Sequence, residues 1–400
     1  MPRSPDLLSQ IWPSTMTKIV LVANTDWYLY NFRRSLANFL LGQGFEVTLV
    51  SPPGKYAELL KEDGFSWIAW NLGRQSTAPW RELPAIFALF NIYRRERADL
   101  SHHHTIKPVL YGSLAARAAR IPNIVNSITG RGFVFLSSKP KASLLKHIAR
   151  PFYRLAFSQS SQMVIFENQE DRQYFIREKM IPVERTRLIA GVGVDTDRFV
   201  PAPEPPGLPI ILLSSRMLWE KGIGVMVDAA RILHRTSKVR VVLVGAPDPG
   251  NPTSISEGQL HTWVNEGVIE WWGWQSDMNP IYQKATIVTL PTFYGEGAPT
   301  ALLEAAACGR PLVATDIPGC RDIVIDSVNG LIVPPNDSNA LADALMKLLA
   351  DPLQRGRMGQ AGRQLVLDKF NVNLVNQSTL AVYQNLLYKP LSSARTKSGE

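Results

Sequence analysis

Two glutamates, Glu296 and Glu304, are separated by seven residues that join a strand-like segment to a helix-like one. At the start of such a helix the backbone N–H groups, here around Ala298 and Thr300, have no acceptor within the helix and can bind a diphosphate. Glu304 would lie in the second helical turn, where side chains lean toward the N-terminus and can reach ribose hydroxyls. Glu296, on the loop ahead, can accept hydrogen bonds from a sugar. The spacing therefore indicates a nucleotide-sugar site, and the alternative is an ordinary strand–helix connection with two surface acids.

The residues around this pair carry clear strand and helix signals. Residues 286–290 form a short β-branched run, which is typical of a buried strand. Gly295 and Gly297 give the following loop its conformational freedom. Pro299 sits where a first-turn proline opens a helix, and Gly309 stops that helix. We therefore expect Gly295, Gly297 and Pro299 to shape the loop that receives the diphosphate.

Two cations, Arg216 and Lys221, follow a second predicted strand at residues 210–214. They bracket the start of a helix predicted over residues 222–233, where the helix dipole already favours an anion. We expect both side chains to bind the diphosphate, and two surface bases are the alternative. Gly245 and Trp274 follow the ends of further predicted strands and are expected to border the nucleotide base.

These motifs resemble those of the retaining family 4 glycosyltransferases. The resemblance rests on the Glu-x7-Glu spacing, on the run Glu-Ala-Ala-Ala-Cys-Gly-Arg-Pro at residues 304–311, and on Arg216 followed by Glu220-Lys221-Gly222. It extends over residues 18–388. It implies an α/β chain of the GT-B fold, in which two doubly wound Rossmann-like domains face each other across a cleft.

The resemblance also implies roles for the donor-side residues. Glu304 would hold the ribose, Glu296 would orient the donor sugar, and Arg216 with Lys221 would stabilise the departing diphosphate. These cations replace a metal in the family, so no obligatory metal or other cofactor is expected beside the nucleotide-sugar co-substrate. No second carboxylate is evident opposite Glu296, so a two-carboxylate double displacement is not indicated.

The acceptor side is predicted from the same resemblance. Family members often carry His-x-His after a strand of the first domain, and this match makes His104 a catalytic-site candidate and His102 a buried residue. Lys107, Arg131 and Asn24 are candidates for binding the acceptor, and the loop of Arg131 could instead bind donor phosphate or simply turn the chain. The histidine triplet could also suggest zinc, but successive strand residues point to opposite faces, so the three cannot ligate one ion.

Strand and helix signals divide the chain into two halves that each begin with a strand–helix–strand unit. The stretch rich in proline at residues 201–209 is the clearest linker. The predicted organisation is an N-terminal extension expected to be disordered (1–17), an acceptor-binding Rossmann-like domain (18–200), the linker (201–209), a nucleotide-sugar-binding Rossmann-like domain (210–371), a helix returning to the first domain (372–389) and a disordered tail (390–400).

Charge is concentrated in the first half of the chain. Residues 1–190 contain 25 Lys and Arg against 14 Asp and Glu, and no acidic residue lies between Leu100 and Phe166. Two amphipathic helices with basic residues, predicted at 83–95 and 139–154, are typical of contact with a membrane surface. A core helix with a solvated basic face is the alternative, and no nucleic-acid-binding module is recognised.

Other features of composition limit the location of the protein. Two cysteines in 400 residues are too few for a disulfide framework, and no apolar run approaches the length of a spanning helix. The N-terminus lacks signal-peptide architecture. We therefore expect a cytoplasmic protein that associates peripherally with the cytoplasmic face of the inner membrane.

Within the family, the segments 105–112, 129–135 and 250–254 resemble the bacterial branch that extends undecaprenyl-diphosphate-linked sugars. This resemblance implies transfer of a hexose or N-acetylhexosamine from a UDP-sugar to a polyprenyl-diphosphate-linked saccharide, as in lipopolysaccharide or exopolysaccharide biosynthesis. The alternatives are a nucleotide-sugar epimerase of the same architecture and a non-catalytic membrane-associated binding subunit.

Overall fold

The computed structural model describes residues 16–73, 79–130 and 149–388, with only the backbone described at residues 79–81. Arg131, most of the predicted helix at 139–154, and both chain ends lie outside these residues. The described chain contains thirteen strands in two sheets. The strands are β1 Lys18–Val22, β2 Glu46–Ser51, β3 Ser66–Ala69, β4 Leu100–His104, β5 Asn123–Ile128, β6 Gln162–Phe166, β7 Thr186–Leu188, β8 Ile210–Ser214, β9 Arg240–Val244, β10 Glu270–Trp271, β11 Ile287–Leu290, β12 Leu312–Thr315 and β13 Gly330–Val333.

The two sheets have the doubly wound topology that the sequence predicts. The first has the order β3-β2-β1-β4-β5-β6-β7 and the second the order β10-β9-β8-β11-β12-β13. All strand pairs of the second sheet are parallel, as are those joining β1 to β5. Strand order reverses between β1 and β4 and between β8 and β11. Ligands bind at the carboxyl ends of strands beside such reversals, so the topology marks one candidate site in each sheet.

Helices lie in the connections between these strands, because parallel neighbours must be joined by crossover segments. Those between β1 and β7 are α1 Asp26–Tyr28, α2 Arg34–Gly42, α3 Lys55–Glu62, α4 Pro79–Glu96, α5 Ser113–Ala118 and α6 Gln169–Arg177. Those after β8 are α7 Ile223–Leu233, α8 Glu257–Asn265, α9 Asn279–Lys284, α10 Thr300–Ala307, α11 Pro318–Arg321, α12 Ser338–Ala350, α13 Pro352–Leu365 and α14 Val372–Leu387. Residues 149–156 are also helical. Short π-helical or 3₁₀ turns occupy Leu29–Arg33, Pro108–Gly112, Val183–Arg185, Trp219–Lys221 and Val366–Phe370.

Several element boundaries differ from the expectation. The sequence predicts that the first helix runs from Asn31 to Leu41, but the first helical segment begins at Asp26, where the Thr25 side chain caps it. The proline at 299 is the N-cap of α10 and not a first-turn residue, because its ψ of 109° is extended. The sequence predicts a strand over residues 66–70, and β3 ends one residue earlier, at Ala69. The two helix differences follow from cap geometry, which hydrophobic periodicity does not specify.

The second sheet is buried on both faces. Successive residues of β8 alternate between two apolar clusters, because side chains on a strand point to opposite faces. Ile210 and Leu212 belong to one cluster, and Ile211 and Leu213 belong to the other. This two-sided burial explains why the strand reads as a continuous apolar run in the sequence.

The chain forms two compact units. The first unit takes its described residues from Met1–Ser127, Phe152–Val164 and Leu380–Glu400, and the second from Ile128–Pro151 and Ile165–Thr379. Helix α14 spans a boundary between them, and its Tyr383 hydrogen-bonds His102 within the first unit. Among the residues that the structure covers, none of the helices combines the length and apolarity needed to cross a membrane.

Candidate functional site

The reversal between β8 and β11 brings together Lys221 and Glu296, which are 75 residues apart in the chain. The Lys221 Nζ donates to Glu296 Oε1 in an ion pair, and both side chains are largely buried, at 16% and 13% exposed. Thr292 Oγ1 lies 3.1 Å from the same carboxylate oxygen and 3.0 Å from the carbonyl of Glu220. The loop after β11 is thus fastened to the segment that precedes α7, and a cation and a carboxylate stand side by side at the end of the sheet.

Two side chains that follow β6 form hydrogen bonds with the backbone of the Glu296 loop. Ala298 N–H donates to Glu167 Oε2 at 3.3 Å, and Asn168 Nδ2 donates to the Glu296 carbonyl at 3.3 Å. Both Glu167 and Asn168 are buried. The Ala298 N–H, which the sequence assigned to a diphosphate, therefore already has a carboxylate partner. Donor phosphate binding at that N–H requires displacement of Glu167, or else uses the neighbouring N–H groups of α10.

Gly297 has no space for a side chain, and we predict that Gly297→Ala displaces the loop. A Cβ at this position would lie 2.7 Å from the Thr129 carbonyl oxygen and closer still to Glu167 Oε2. Because the Thr129 backbone cannot shift at low energetic cost, we expect at least about a 10-fold loss in kcat/KM, the scale on which misplaced binding groups act. Steady-state kinetics with folding checked by circular dichroism would measure it.

Gly42→Ala provides the matched control for this substitution. Gly42 lies at the end of α2 and a Cβ there would meet nothing within 4 Å. Its variant should retain full activity. Equal activity of the two glycine variants would show that the close packing of Gly297 has no part in the reaction.

Glu304 lies in the second turn of α10, whose first turn is not capped by a side chain. The helix N-terminus therefore keeps N–H groups available to an anion. The half-buried Glu304 hydrogen-bonds the Tyr282 hydroxyl, which in turn lies 2.7 Å from Ser214 Oγ. Burial raises the pKa of the Glu304 carboxyl to about 7, and the bond from Tyr282 opposes this rise. Glu304 is therefore poised to change charge near neutral pH.

We predict a pH-dependent stability that originates from Glu304. The folded-state pKa of about 7 exceeds the ordinary value of 4.5, so the neutral carboxyl stabilises the fold below pH 4.5. That contribution is lost as the pH rises through about 7, and its size is on the order of 3 kcal/mol. In Glu304→Gln this decline should disappear. Free energies of unfolding from urea titrations between about pH 5 and about pH 8 would measure it, with the exposed Glu257→Gln as control. A wild-type decline that persists unchanged in Glu304→Gln would contradict the assignment.

The remaining donor-side residues lie at the ends of β8, β9 and β10. Arg216 Nη1 donates to Asp248 Oδ2 at 2.8 Å, and the half-exposed guanidinium remains accessible. Gly245 has a φ of 133°, and a Cβ there would collide with the Ser215 carbonyl. Trp274 lies three residues beyond the short β10 and is 53% exposed. Arg216 and Gly245 therefore lie next to the reversal, while Trp274 is more than half exposed.

The three histidines of β4 are all buried in the first unit. His102 bonds the hydroxyls of Tyr383 and Ser127 at 2.6 and 2.7 Å. His103 points to the opposite face, where its ring nitrogens bond Asn126 at 2.8 Å and Tyr93 at 2.7 Å. The His104 ring lies against that of His102, with the ring centroids 3.9 Å apart and the ring planes tilted by 48°. This alternation is the one that the sequence predicts, and it separates His103 from the other two.

His104 differs from its neighbours because neither ring nitrogen has a hydrogen-bond partner among the residues the structure describes. It is fully buried, and burial holds the pKa of its imidazole well below the ordinary range. A neutral ring with two unused nitrogens is suited to meet an incoming polar group. Its contact with an acceptor remains a prediction, and so does the role of the half-buried Asn24, which follows β1.

Lys107 is engaged by a neighbour that the sequence did not indicate. Its Nζ donates to Glu82 Oε1 at 3.0 Å and to the Gly73 carbonyl. Glu82 is buried, and its Oε2 has no hydrogen-bond partner among the described residues. An acceptor phosphate at Lys107 would therefore compete with this carboxylate.

The Asp-x-Asp sequence at residues 195–197 is a turn. Asp195 Oδ1 accepts the backbone N–H groups of Asp197 and Arg198 at 3.0 and 3.1 Å, which is the bonding pattern of a turn-forming aspartate. Within the described ranges, no group of three or more His, Cys, Asp or Glu residues is arranged to hold a metal ion.

Sequence reasoning missed Glu167, Asn168, Asp248 and Glu82. The first three follow the carboxyl ends of β6 and β9, and polar residues at such ends are the signal that could have identified them. Glu82 lies in a helix and gave no such signal, because its partner Lys107 is 25 residues away.

Both halves of the chain match family models of known proteins. Residues 18–168 match the family model described as "Glycosyl transferase 4-like", and residues 208–351 match the one described as "Glycosyl transferases group 1". A Campylobacter jejuni protein, the N,N'-diacetylbacillosaminyl-diphospho-undecaprenol alpha-1,3-N-acetylgalactosaminyltransferase, is 27% identical over 90% of this chain and 96% of its own length. The Escherichia coli UDP-Gal:alpha-D-GlcNAc-diphosphoundecaprenol alpha-1,3-galactosyltransferase is 24% identical over 73% of this chain and 76% of its own.

Solved structures share the fold over almost the whole chain. A glycosyltransferase from Rickettsia africae superposes with a TM-score of 0.75 at 19% identity, covering 94% of this chain and 99% of its own. Anabaena HepE in complex with UDP superposes with a TM-score of 0.72 at 18% identity, covering 92% and 100%.

Proposed function

Because the chain belongs to the group 1 glycosyltransferases and has the GT-B fold, we propose that it transfers a hexose or N-acetylhexosamine, with retention, from a nucleotide-diphospho-sugar to a polyprenyl-diphosphate-linked saccharide. The donor in this proposal is a UDP-sugar, and the pathway is the assembly of a bacterial surface glycan. The observation that supports it most is the Lys221–Glu296 ion pair at the β8/β11 reversal, beside the uncapped start of α10. The relatives named above support the lipid-linked acceptor.

In the proposed reaction the donor diphosphate binds where three positive features converge on the end of the second sheet. These are the N–H groups at the start of α10, the Lys221 ammonium and the Arg216 guanidinium. In the free protein Glu296 and Asp248 neutralise the two side chains. Both cations thus keep fixed positions before the donor arrives, which is the preorganisation that stabilises charge developing on a leaving group.

The chemical step follows from that arrangement. The bond between the anomeric carbon and the diphosphate oxygen breaks, and the acceptor oxygen bonds the same face of the sugar. The departing phosphate oxygen takes the acceptor proton. Glu296 orients the donor hydroxyls, with Lys221 reducing its charge. The nearby Glu167 is occupied by Ala298 N–H, so its role here is to fix the loop.

The first unit supplies the proposed acceptor and membrane contacts. Large apolar side chains are exposed on two of its helical segments, with Leu83 and Phe87 on α4 and Phe152 and Leu155 in the helix at 149–156. Exposed apolar groups on basic helices favour insertion at a lipid headgroup boundary. We propose that these residues bring the protein to the cytoplasmic face of the membrane, where a polyprenyl-linked acceptor is held.

The test incubates the purified protein with UDP-, GDP- and ADP-sugars, with and without a polyprenyl-diphosphate-linked saccharide. We expect an acceptor-dependent product from one UDP-sugar, with the anomeric configuration of the donor retained in its NMR coupling constant. Melting temperatures should rise with the matching nucleotide and not in Glu304→Ala, since ligand binding stabilises by mass action. A changed sugar without acceptor would instead indicate an epimerase, and no nucleotide binding would refute the transferase proposal.

A further inference from the structure

A second pocket lies in the second unit and shares no lining residue with the donor site. Its volume is about 520 Å³, which is within the range of small-molecule sites. The segment 201–204 forms one wall, the turn at residues 309–311 another, and helix α13 a third. We call it the arginine pocket, because Arg310, Arg355 and Arg363 line it.

The arginine pocket carries net positive charge. Its three arginines face a single carboxylate, Glu204, and the other described lining residues are not ionisable. Arg355 binds both oxygens of Glu204, at 2.6 and 3.0 Å, so this pair is neutral. Among the residues that the structure describes, no carboxylate forms an ion pair with Arg310 or Arg363, so the lining side chains sum to a formal charge of +2.

Arg310 shows most clearly that this charge is unsatisfied. It is 3% exposed, and its described hydrogen bonds all run through Nη2, to the carbonyls of Ala202, Pro203 and Gln283. Its buried Nε has no hydrogen-bond partner among the described residues. Burial lowers the pKa of the guanidinium, and the nearby Cys308 and Glu204 oppose this effect only in part. A buried cation of this kind is stabilised by an anion.

Arg363 is held rigidly beside it. Its Nη1 donates to the carbonyls of Phe199 and Ala307, and its Nη2 donates to the carbonyl of Thr196. Neutral carbonyl acceptors fix the orientation of a guanidinium without removing its charge. Two oriented guanidinium groups are the arrangement in which arginine binds phosphate or carboxylate.

We propose that the arginine pocket binds the phosphate group of a small phosphorylated molecule, with Arg310 and Arg363 as its cationic partners. A phosphate monoester carries a charge of about −1.5 to −2 at neutral pH, which matches the pocket. The ligand would contact the segment 201–204 that Arg310 and Arg355 secure. This site is separate from donor binding and does not depend on the proposed transferase reaction.

The experiment titrates the full chain with glycerol 3-phosphate and, as a neutral control, with glycerol, using isothermal calorimetry. Gln360 is an exposed residue of α13 that lines the pocket, so changes there alter charge without removing a structural contact. We expect Gln360→Glu to weaken glycerol 3-phosphate binding about two- to five-fold, and Gln360→Lys to strengthen it by a similar factor. Arg310→Gln should abolish binding.

The donor-site variant Lys221→Met separates this pocket from the diphosphate site, and its glycerol 3-phosphate affinity should equal that of the wild type. The Gln360 variants keep the test decisive if Arg310→Gln fails to fold. The proposal is overturned if no binding is seen. It is equally overturned if binding is lost in Lys221→Met and unchanged in both Gln360 variants, because the ligand would then occupy the donor site.

Discussion

Replacing Lys221 with methionine is expected to lower kcat by about 100-fold or more, with the fold retained. The substitution removes the ammonium and replaces the δ-methylene with sulfur, so methionine still fills the space of the aliphatic stem. In the proposed mechanism this charge stabilises the departing diphosphate in a largely buried setting, where one lost electrostatic group costs about 10²- to 10³-fold. Initial rates with donor and lipid-linked acceptor would measure the loss.

Lys238→Met is the matched control. Lys238 is exposed in the second unit, so this substitution introduces the same side chain at the surface, away from the donor site. Its kcat should match that of the wild type. If Lys221→Met also keeps its activity within a few-fold of the wild type, Lys221 has no part in stabilising the leaving group.

Replacing Glu296 with alanine is expected to lower kcat to a similar extent, by about 100-fold or more. Two effects contribute, since the donor sugar loses an acceptor for its hydroxyls and Lys221 loses the carboxylate that positions it. The isosteric Glu296→Gln keeps one acceptor oxygen and should therefore lose less. The exposed Glu257→Ala is the control for removing a carboxylate from this unit. Unchanged turnover in Glu296→Ala would remove Glu296 from the mechanism.

The double variant distinguishes a coupled pair from two independent groups. Residues that act as a unit lose activity non-additively, because the first substitution already disables the second residue. We expect Lys221→Met with Glu296→Ala to be about as slow as the slower single variant. A loss near 10⁴-fold, the product of the two, would show that each residue acts alone.

Much of the fold could be read from the sequence because its signals are local. The run at residues 210–214 is apolar throughout, and the structure confirms a strand there that is buried on both faces. Prolines and glycines gave the ends of α10 to within two residues, since their backbone limits act on the nearest turn. The α/β class with two doubly wound sheets is confirmed for the same reason, as alternating strands and helices leave few other packings.

The Glu296 and Glu304 pair could also be interpreted from the sequence, because both residues lie within one short stretch of chain. A strand, a loop and a helix that follow each other directly fix the positions of such residues with little help from the rest of the molecule. The contacts that connect this stretch to distant residues could not be predicted in the same way. Lys221 reaches Glu296 only because β8 and β11 are neighbours in the sheet, and Glu167 reaches Ala298 across 131 residues.

Burial decided the pKa values and hydrogen-bond partners of the site residues, which the sequence left undetermined. A glutamate in a sequence has its ordinary pKa, but burial raises the pKa of the Glu304 carboxyl to about 7, against the opposing hydrogen bond from Tyr282. The sequence likewise distinguishes the three histidines only by position, and packing leaves His104 with two ring nitrogens that have no hydrogen-bond partner among the described residues. By itself the sequence determined which residue types follow which strands, because that is a local property of the chain. The tertiary structure decided which of them meet and which carry charge, because both depend on neighbours that the fold brings from elsewhere and on the water that it excludes.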